Sequence, residues 1–489
     1  MKKLIALILA VVMVLSMGLL TGCGNTNTTD PTGGNNNNPG DKPGNSNVGN
    51  FVVPEGGYDG SAVTITFYHT MGAKLREVLE LYIAEFNKMY PNITIEHSQV
   101  GGYDDVRDQI STELTVNAQP NIAYCYPDHV ALYNLTGKVV TLDNLINSTV
   151  EVKHADGSTE ILGMTAAQVD DFIDGYYNEG KQFGDGLMYT LPLSKSTEVM
   201  YYDKTFFEAN GLTVPTTWEE MEAVCAKIKE LDPNSIPLGY DSEANWFINM
   251  CMQYGSDYTS ATGDHFLFDN DTNKGFIKMF RDWYQKGYVT TQTLYGAYTS
   301  GLFKSTNGTR CYMCIGSSAG ASHQRPTKGE NGYPFEVGIA TIPQVDASKP
   351  QVISQGPSLC MFQSENEQEV LASWLFVKYL TTTVEFQAEF SMASGYVPVL
   401  ESVKDNEVYK TQFLDLADGG DYITALSAKV CLSQVNAYYT SPAFNGSSTA
   451  REQVGGLLTA ALSAADNGNV DALLNKLFQD AIDECEYNS

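Results

Sequence analysis

Residues 187–221 read LMYTLPLSKSTEVMYYDKTFFEANGLTVPTTWEEM, and this stretch decides the fold class. Val199, Met200, Tyr201 and Tyr202 form a compact apolar run that fits a buried strand. Asp203 follows as an N-cap for a short helix carrying Phe206 and Phe207, because its carboxylate can accept from a free backbone N–H of the first turn. Gly211 closes that helix and Pro215 stiffens the loop after it. Thr217-Trp218-Glu219-Glu220 is then a capping box, in which the Thr hydroxyl and the Glu carboxylate satisfy each other's free backbone N–H groups at the start of a longer helix. Strand, helix and capped helix in this order are a unit of an α/β protein.

Working outward, the chain from Ser61 repeats the alternation. Val63–Tyr68 is a β-rich run. Leu75, Val78, Leu79, Tyr82, Ile83, Phe86, Met89 and Tyr90 recur at helical spacing until Pro91 stops them. Asn92–Val100 is a second strand, Asp104–Asn117 a second helix and Asn121–Tyr126 a third strand. A βαβαβ start predicts a parallel sheet with helices on both faces, whose ligands sit beyond the carboxyl ends of the strands. Just past those ends lie His69-Thr70-Met71-Gly72, Gly101-Gly102-Tyr103 and Pro127-Asp128-His129. The remaining chain is too long for one such sheet and predicts a second α/β lobe. Strands are expected at Thr309–Ile315 and Gly338–Ile342, and helices at Phe276–Tyr284, Glu367–Leu380 and Ala450–Leu462. No segment repeats.

The first residues bear on compartment. Lys2 and Lys3 precede the apolar run Leu4–Leu20, which is too short and wrongly flanked for a stable membrane span and ends in Leu20-Thr21-Gly22-Cys23. This resembles the lipobox of bacterial lipoproteins, with residues 1–22 as signal peptide and Cys23 as the acylated residue. Gly24–Asn50 has almost no apolar side chain, so it cannot offset its own ordering entropy, and it predicts a flexible tether with a reach of roughly 30 Å.

Fifty-eight acidic residues against 29 basic give a formal charge of −29, which argues against nucleic-acid binding and against attraction to anionic lipid. Of the nine cysteines, only Cys311 and Cys314 are close together. Without a second pair or nearby histidines they predict buried core residues and no metal site.

Three constellations bear on chemistry. Gly316-Ser317-Ser318-Ala319-Gly320 matches the G-x-S-x-G pattern of a nucleophile elbow after an apolar strand. The last histidine is His323, only just past Ser318, so the Ser–acid–His order of a secreted α/β-hydrolase cannot be completed. The same small residues can instead present N–H groups and hydroxyls to a ligand. Ser447-Ser448-Thr449-Ala450-Arg451 predicts a Ser-capped helix whose first turn carries a guanidinium fork suited to a carboxylate or phosphate; an exposed arginine paired with Glu452 or solvent is the alternative. Among the 29 tyrosines, Tyr68, Tyr103, Tyr126 and Tyr396 fall at strand ends or loops, where a flat apolar ring with a polar edge suits sugars and polyols. Neither paired catalytic carboxylates nor a Gly-rich phosphate loop is visible.

Residues 198–207 (EVMYYDKTFF), Gly211-Leu212 and residues 215–221 (PTTWEEM) are similar to the signature of family 1 extracellular solute-binding proteins of ABC importers. Ala372–Leu380 with Ser394-Gly395-Tyr396-Val397-Pro398-Val399 resembles the second signature of that family. Within it, His69-Thr70-Met71 and Pro192–Thr197 are similar to glycerol-3-phosphate and glycerophosphodiester-binding proteins. That resemblance implies ligand contacts at Tyr103, Ser196, Ser317, Gly356 through its backbone, Tyr396 and Arg451, the last on phosphate. Where those proteins carry a glutamate for the glycerol hydroxyls this chain has Pro127, with Asp128 beside it as the substitute. Oligosaccharide receptors share the framework.

The resemblance implies a periplasmic-binding-protein-like fold: two α/β lobes around a cleft, one of residues 61–193 plus 352–393 and the other of 197–350 plus 397–489. Crossing hinge segments are expected near Leu193–Thr197, Gln344–Gln351 and Gly395–Val399. It further implies a non-catalytic receptor that closes on a small polar solute and hands it to ABC permease subunits, held at the extracellular face of the cell membrane by its N-terminal lipid. No catalytic residue, cofactor or metal is implied.

Overall fold

The computed structural model of the protein describes residues 49–419, 422–465 and 468–489. The expected signal peptide, Cys23 and nearly all of the expected tether lie outside the described residues.

Two sheets carry the architecture. The first runs in the order Ile93–Gln99, Val63–His69, Ile122–Cys125, Ser358–Met361, Leu191–Pro192. Val63–His69 is parallel to both of its neighbours, as a βαβαβ start requires, whereas Ser358–Met361 is antiparallel to its two. Val63, Ile65 and Phe67 alternate inward and meet helices Ala73–Met89 and Glu367–Thr382. The latter helix is apolar nearly all round and is buried accordingly, and Trp374 inside it donates its indole N–H to Leu162 O at 2.8 Å.

The second sheet is organised on Ser196–Asp203, the strand inside the opening stretch. It pairs antiparallel with Met313–Ser317, Val337–Thr341 and Val352–Gln355; Leu238–Tyr240 and Val289–Thr291 extend the sheet in parallel. Asp203 accepts from Phe206 N at 2.8 Å, Gly211 takes the left-handed conformation that ends the helix Lys204–Asn210, and Thr217 and Glu220 form the capping box. Trp218, Trp246, Phe280 and Trp283 fill the core beneath, with ring centroids 4.0–6.3 Å apart. Cys311 and Cys314 are buried and unpaired.

The division of the chain differs from expectation in three places. First, the folded body begins by Asn50, not at Ser61: its side chain donates to Val139 O at 2.6 Å, and Phe51 and Tyr58 enter the first core. The polar tract hid this because two aromatic residues make no periodic pattern.

Second, the second crossing is not at Gln344–Gln351. Pro343 and Pro350 interrupt the ladder, but the loop stays on the second lobe, where Gln253 Nε2 donates to Pro343 O and to Gln351 O, both at 3.2 Å. Val352–Gln355 still pairs with Ser196 and Thr197, so the chain crosses at Gly356-Pro357. Gly356 sits there at φ +104°, and a Cβ on it would lie 2.6 Å from Ser194 O. Only glycine fits.

Third, the segment beginning at Val397 does not pass wholly to the second lobe. Val397, Val399, Leu400, Val403, Tyr409 and Phe413 join the first core. Helix Ile423–Ser433 touches both lobes, with Ala425, Ala428 and Cys431 in the first core and Ile423 in a separate cluster with Val199 and Tyr201 of the second sheet. Spacing marks a helix's apolar face but not the partner that covers it.

Candidate functional site

The crossings converge on the cleft ends of the two sheets. Register sets Ser196 opposite Gln355 and Glu198 opposite Ser317, so the start of the Ser196–Asp203 strand, the end of Val352–Gln355 and the end of Met313–Ser317 meet there. Lys195, on the first crossing, is fully buried. Its ammonium reaches Glu179 Oε2 at 2.7 Å, Ser358 Oγ at 3.0 Å and Gly356 O at 3.3 Å. Burial raises the Glu179 carboxyl above its ordinary value, and Lys195 opposes that rise. The ammonium therefore ties the first crossing to Gly356 and Ser358 of the second, and the ion pair anchors it to the helix Asp174–Glu179 in a dry environment.

Two cavities flank Gln355, which lines both. A small one of about 60 Å³ is walled by Tyr126, Pro127 and Asp128 from the first lobe and by Ser447 and Arg451 from the second. A larger one of about 510 Å³ is lined by Glu198, Asp241, Asn245, Ser317 and Tyr396, among others. Pro127 opens the helix Pro127–Tyr133, its fixed φ suiting the first helical position, and Asp128 follows in the first turn facing the small cavity.

Arg451 lies in the helix Ser447–Ser463, but the expected serine cap is absent. Gly446 is the N-cap, in the left-handed conformation, and Ser447 Oγ donates to Phe444 O at 2.7 Å. Ser448 Oγ instead donates to Asp128 Oδ2 across the cleft at 2.8 Å. Glu452 meets Arg107 of the first lobe at 3.1 Å, and among the described ion pairs it has none with Arg451. Arg451 Nη2 donates to Asn245 Oδ1.

Asn245 is a junction. Its Nδ2 donates to Glu198 Oε1 at 3.0 Å and to Gln355 Oε1 at 2.7 Å. Glu198 is 1% exposed and also accepts from the Tyr240 hydroxyl and from Asn249 Nδ2, the latter at 2.7 Å. Burial pushes its carboxyl up to about 7; Tyr240, Asn245 and Arg451 pull the other way, and Asp241 adds to the rise.

Of the residues expected to contact ligand, Asp128 and Arg451 meet in the small cavity, and Ser317 and Tyr396 in the larger. Tyr103 stacks on Tyr126 at 4.4 Å and 20°, with Tyr396 nearby; burial raises all three phenols, so each stays neutral as a hydrogen-bonding group. Ser196 is 2% exposed, and neither it nor Gly356 walls either cavity. Ser318, the elbow serine, is buried; its Oγ accepts from Thr197 N at 3.2 Å, and among the described hydrogen bonds no histidine reaches that atom.

Glu198, Asn245 and Gln355 were missed as site residues. Glu198 carried a signal, because an acid inside an apolar strand is expensive unless paired and so marks a functional or networked position. Asn245 and Gln355 carried none.

The model of the family described as bacterial extracellular solute-binding protein matches residues 82–414. The chain belongs to that family. Among its relatives is the sn-glycerol-3-phosphate-binding periplasmic protein UgpB of Shigella flexneri, 24% identical over 367 residues that span 71% of this chain and 76% of the relative. UgpB from Mycobacterium tuberculosis, solved in complex with glycerophosphocholine, superimposes with a TM-score of 0.66 at 18% identity, covering 86% of this chain and 99% of that one. The cyclic alpha-maltosyl-1,6-maltose binding protein from Arthrobacter globiformis gives 0.66 at 17% identity, covering 87% and 100%. At these identities the likenesses establish the two-lobe fold of this solute-binding protein and leave its solute open.

Proposed function

We propose that this family member is the capturing subunit of an ABC importer for a small polar phosphate ester, of the glycerol-3-phosphate or glycerophosphodiester kind. One observation carries the proposal: Arg451 of the second lobe and Asp128 of the first face a single cavity. A guanidinium fork matches a phosphate, and a carboxylate accepts from glycerol hydroxyls. Asp128 thus supplies the acceptor that Pro127 cannot, while Tyr126, Ser317 and Tyr396 complete the wall around the two ends of the ligand and Tyr103, which lines neither cavity, backs Tyr126 by stacking on it. Ser196 and Gly356 act through the crossings they sit on. The protein binds without catalysis, and closure is favoured by the contacts a ligand makes with both lobes at once.

A second assignment, an oligosaccharide, draws support from the larger cavity of about 510 Å³ with Tyr298 and Tyr396 in its wall. A thermal-shift screen of glycerophosphodiesters against malto- and xylo-oligosaccharides separates the two, since a bound ligand raises stability with the logarithm of its excess over Kd. Stabilisation by phosphate esters alone supports the first assignment; stabilisation by sugars alone replaces it with the second.

Cys23 carries the lipid that holds the receptor at the extracellular face of the membrane, beside its permease subunits. Mass spectrometry of the N-terminus tests this: a diacylglycerol-modified Cys23 is expected, and an unmodified one overturns it.

A further inference from the structure

We propose that Glu198 is the proton-linked positioning residue of the anion site, holding Arg451 through Asn245 when ionised and taking up a proton from solvent when an anion docks on that guanidinium. The inference rests on the assignment of Arg451 as the anion contact.

The hydrogen-bond directions are those of a carboxylate. Three donors converge on Glu198: the Tyr240 hydroxyl, Asn245 Nδ2 and Asn249 Nδ2. An ionised carboxylate accepts all of them, whereas a protonated one must place an O–H among them. Asn249 cannot turn to receive it, because its Oδ1 already accepts from Ile353 N at 2.8 Å. Asn245 cannot turn without giving up Arg451, since its Oδ1 accepts from Arg451 Nη2. The ionised acid therefore fixes which end of the Asn245 amide faces the guanidinium. Protonation redirects the network, most directly at the Tyr240 hydroxyl, which can accept.

Electrostatics sets the sign. The charged and titratable groups around Glu198 are Tyr240 and Asp241 at the end of one strand, Arg451 on the helix above, and Lys304 and His323 across the larger cavity. The ionised acid offsets the charge of Arg451 and so weakens its hold on an anion. An arriving anion in turn disfavours that ionised form. By reciprocity the two effects are one coupling: anion affinity falls as pH rises through the range where Glu198 loses its proton. Burial already places that range near neutrality, and the cavity wall gives the carboxyl access to solvent protons. Glu198 stands directly before the apolar run Val199–Tyr202, where a buried charge is costly unless it is paired and hydrogen-bonded.

Calorimetry with sn-glycero-3-phosphocholine, whose phosphodiester stays ionised throughout, tests the coupling in buffers of different ionisation enthalpy from pH 5.5 to 8.5. The wild type is expected to take up a fraction of a proton on binding near pH 7 and to lose about tenfold in affinity across the range, the equivalent of a tenfold ligand-induced change in proton affinity. Glu198→Gln should bind with neither effect. Binding with no proton uptake, or with the same uptake in Glu198→Gln, overturns the inference and leaves the phosphate-ester assignment standing.

If the phosphodiester does not bind at all, the ligand assignment fails. The inference is then decided on the ligand-free protein by the NMR signal of the Arg451 guanidinium, one of six arginines and assignable through Arg451→Lys. That signal must titrate near pH 7, and Tyr240→Phe, which removes a donor to the carboxylate, must move the midpoint upward. A signal constant over the range, or an unmoved midpoint, overturns it even if Glu198→Gln fails to fold.

Discussion

Ser448 Oγ donates to Asp128 Oδ2 at 2.8 Å, so a helix that begins in the second lobe is bonded directly to the first. One turn on, Glu452 meets Arg107 at 3.1 Å, and Arg451 lies between them on the same helix. The residue proposed to hold the ligand's anion is thus flanked by two ligand-independent contacts across the cleft.

Those contacts predict a measurable bias toward closure without ligand. Replacing Ser448 by Ala removes a hydrogen bond to a charged group, about 1.5–3 kcal/mol at most and less where water substitutes, while the Arg107–Glu452 pair, with a well-exposed glutamate, adds under ~1 kcal/mol. Small-angle scattering of the ligand-free Ser448→Ala protein should show a larger radius of gyration than the wild type. Identical profiles would show that this bond does not bias the lobes.

The hinge ion pair should behave asymmetrically. Lys195→Met leaves Glu179 buried without its cation, which is expected to destabilise the fold by about 3–5 kcal/mol. Adding Glu179→Gln should recover most of that loss, because the uncompensated charge goes with it. Urea unfolding of the two variants checks this, and equal destabilisation in both would show that the pair matters through packing alone.

Glu198 should leave a signature in the pH dependence of stability. Its carboxyl is raised from an ordinary value of 4.5 to about 7, so between those values the folded state holds more protons than the unfolded one. Stability is then lost as pH rises through about 7 and is fully present below about 4.5. Exposed acids such as Asp59 and Asp346 are lowered and act in the opposite sense, so the test is a difference. Glu198→Gln should gain on the wild type by on the order of 3 kcal/mol between pH 5 and pH 8; a difference independent of pH would remove the raised carboxyl from the account.

The sequence revealed elements better than their partners. Val63–His69, Ala73–Met89 and the capped helix after Thr217 were legible because burial of one face writes a period into the chain, and because caps use a small set of side chains. The crossing at Gly356-Pro357 was not, since the prolines at 343 and 350 looked like better breakpoints, and only pairing of Val352–Gln355 with Ser196 and Thr197 keeps the chain in the second sheet. Asp128 and Arg451 could be singled out as charged residues at element starts. Their convergence on one cavity, and the Asn245–Glu198 relay behind Arg451, depend on contacts between residues far apart in sequence, which no local pattern encodes.

The central claim is that Arg451 grips an anionic ligand group, and isothermal calorimetry of wild type and Arg451→Ala with sn-glycero-3-phosphocholine and with maltotriose tests it most directly. Loss of a charged hydrogen bond should cost at least ~1.5 kcal/mol, or more than about tenfold in Kd, for a phosphodiester that the wild type binds in preference to the sugar. Tight maltotriose binding that is unaffected by Arg451→Ala would contradict the account.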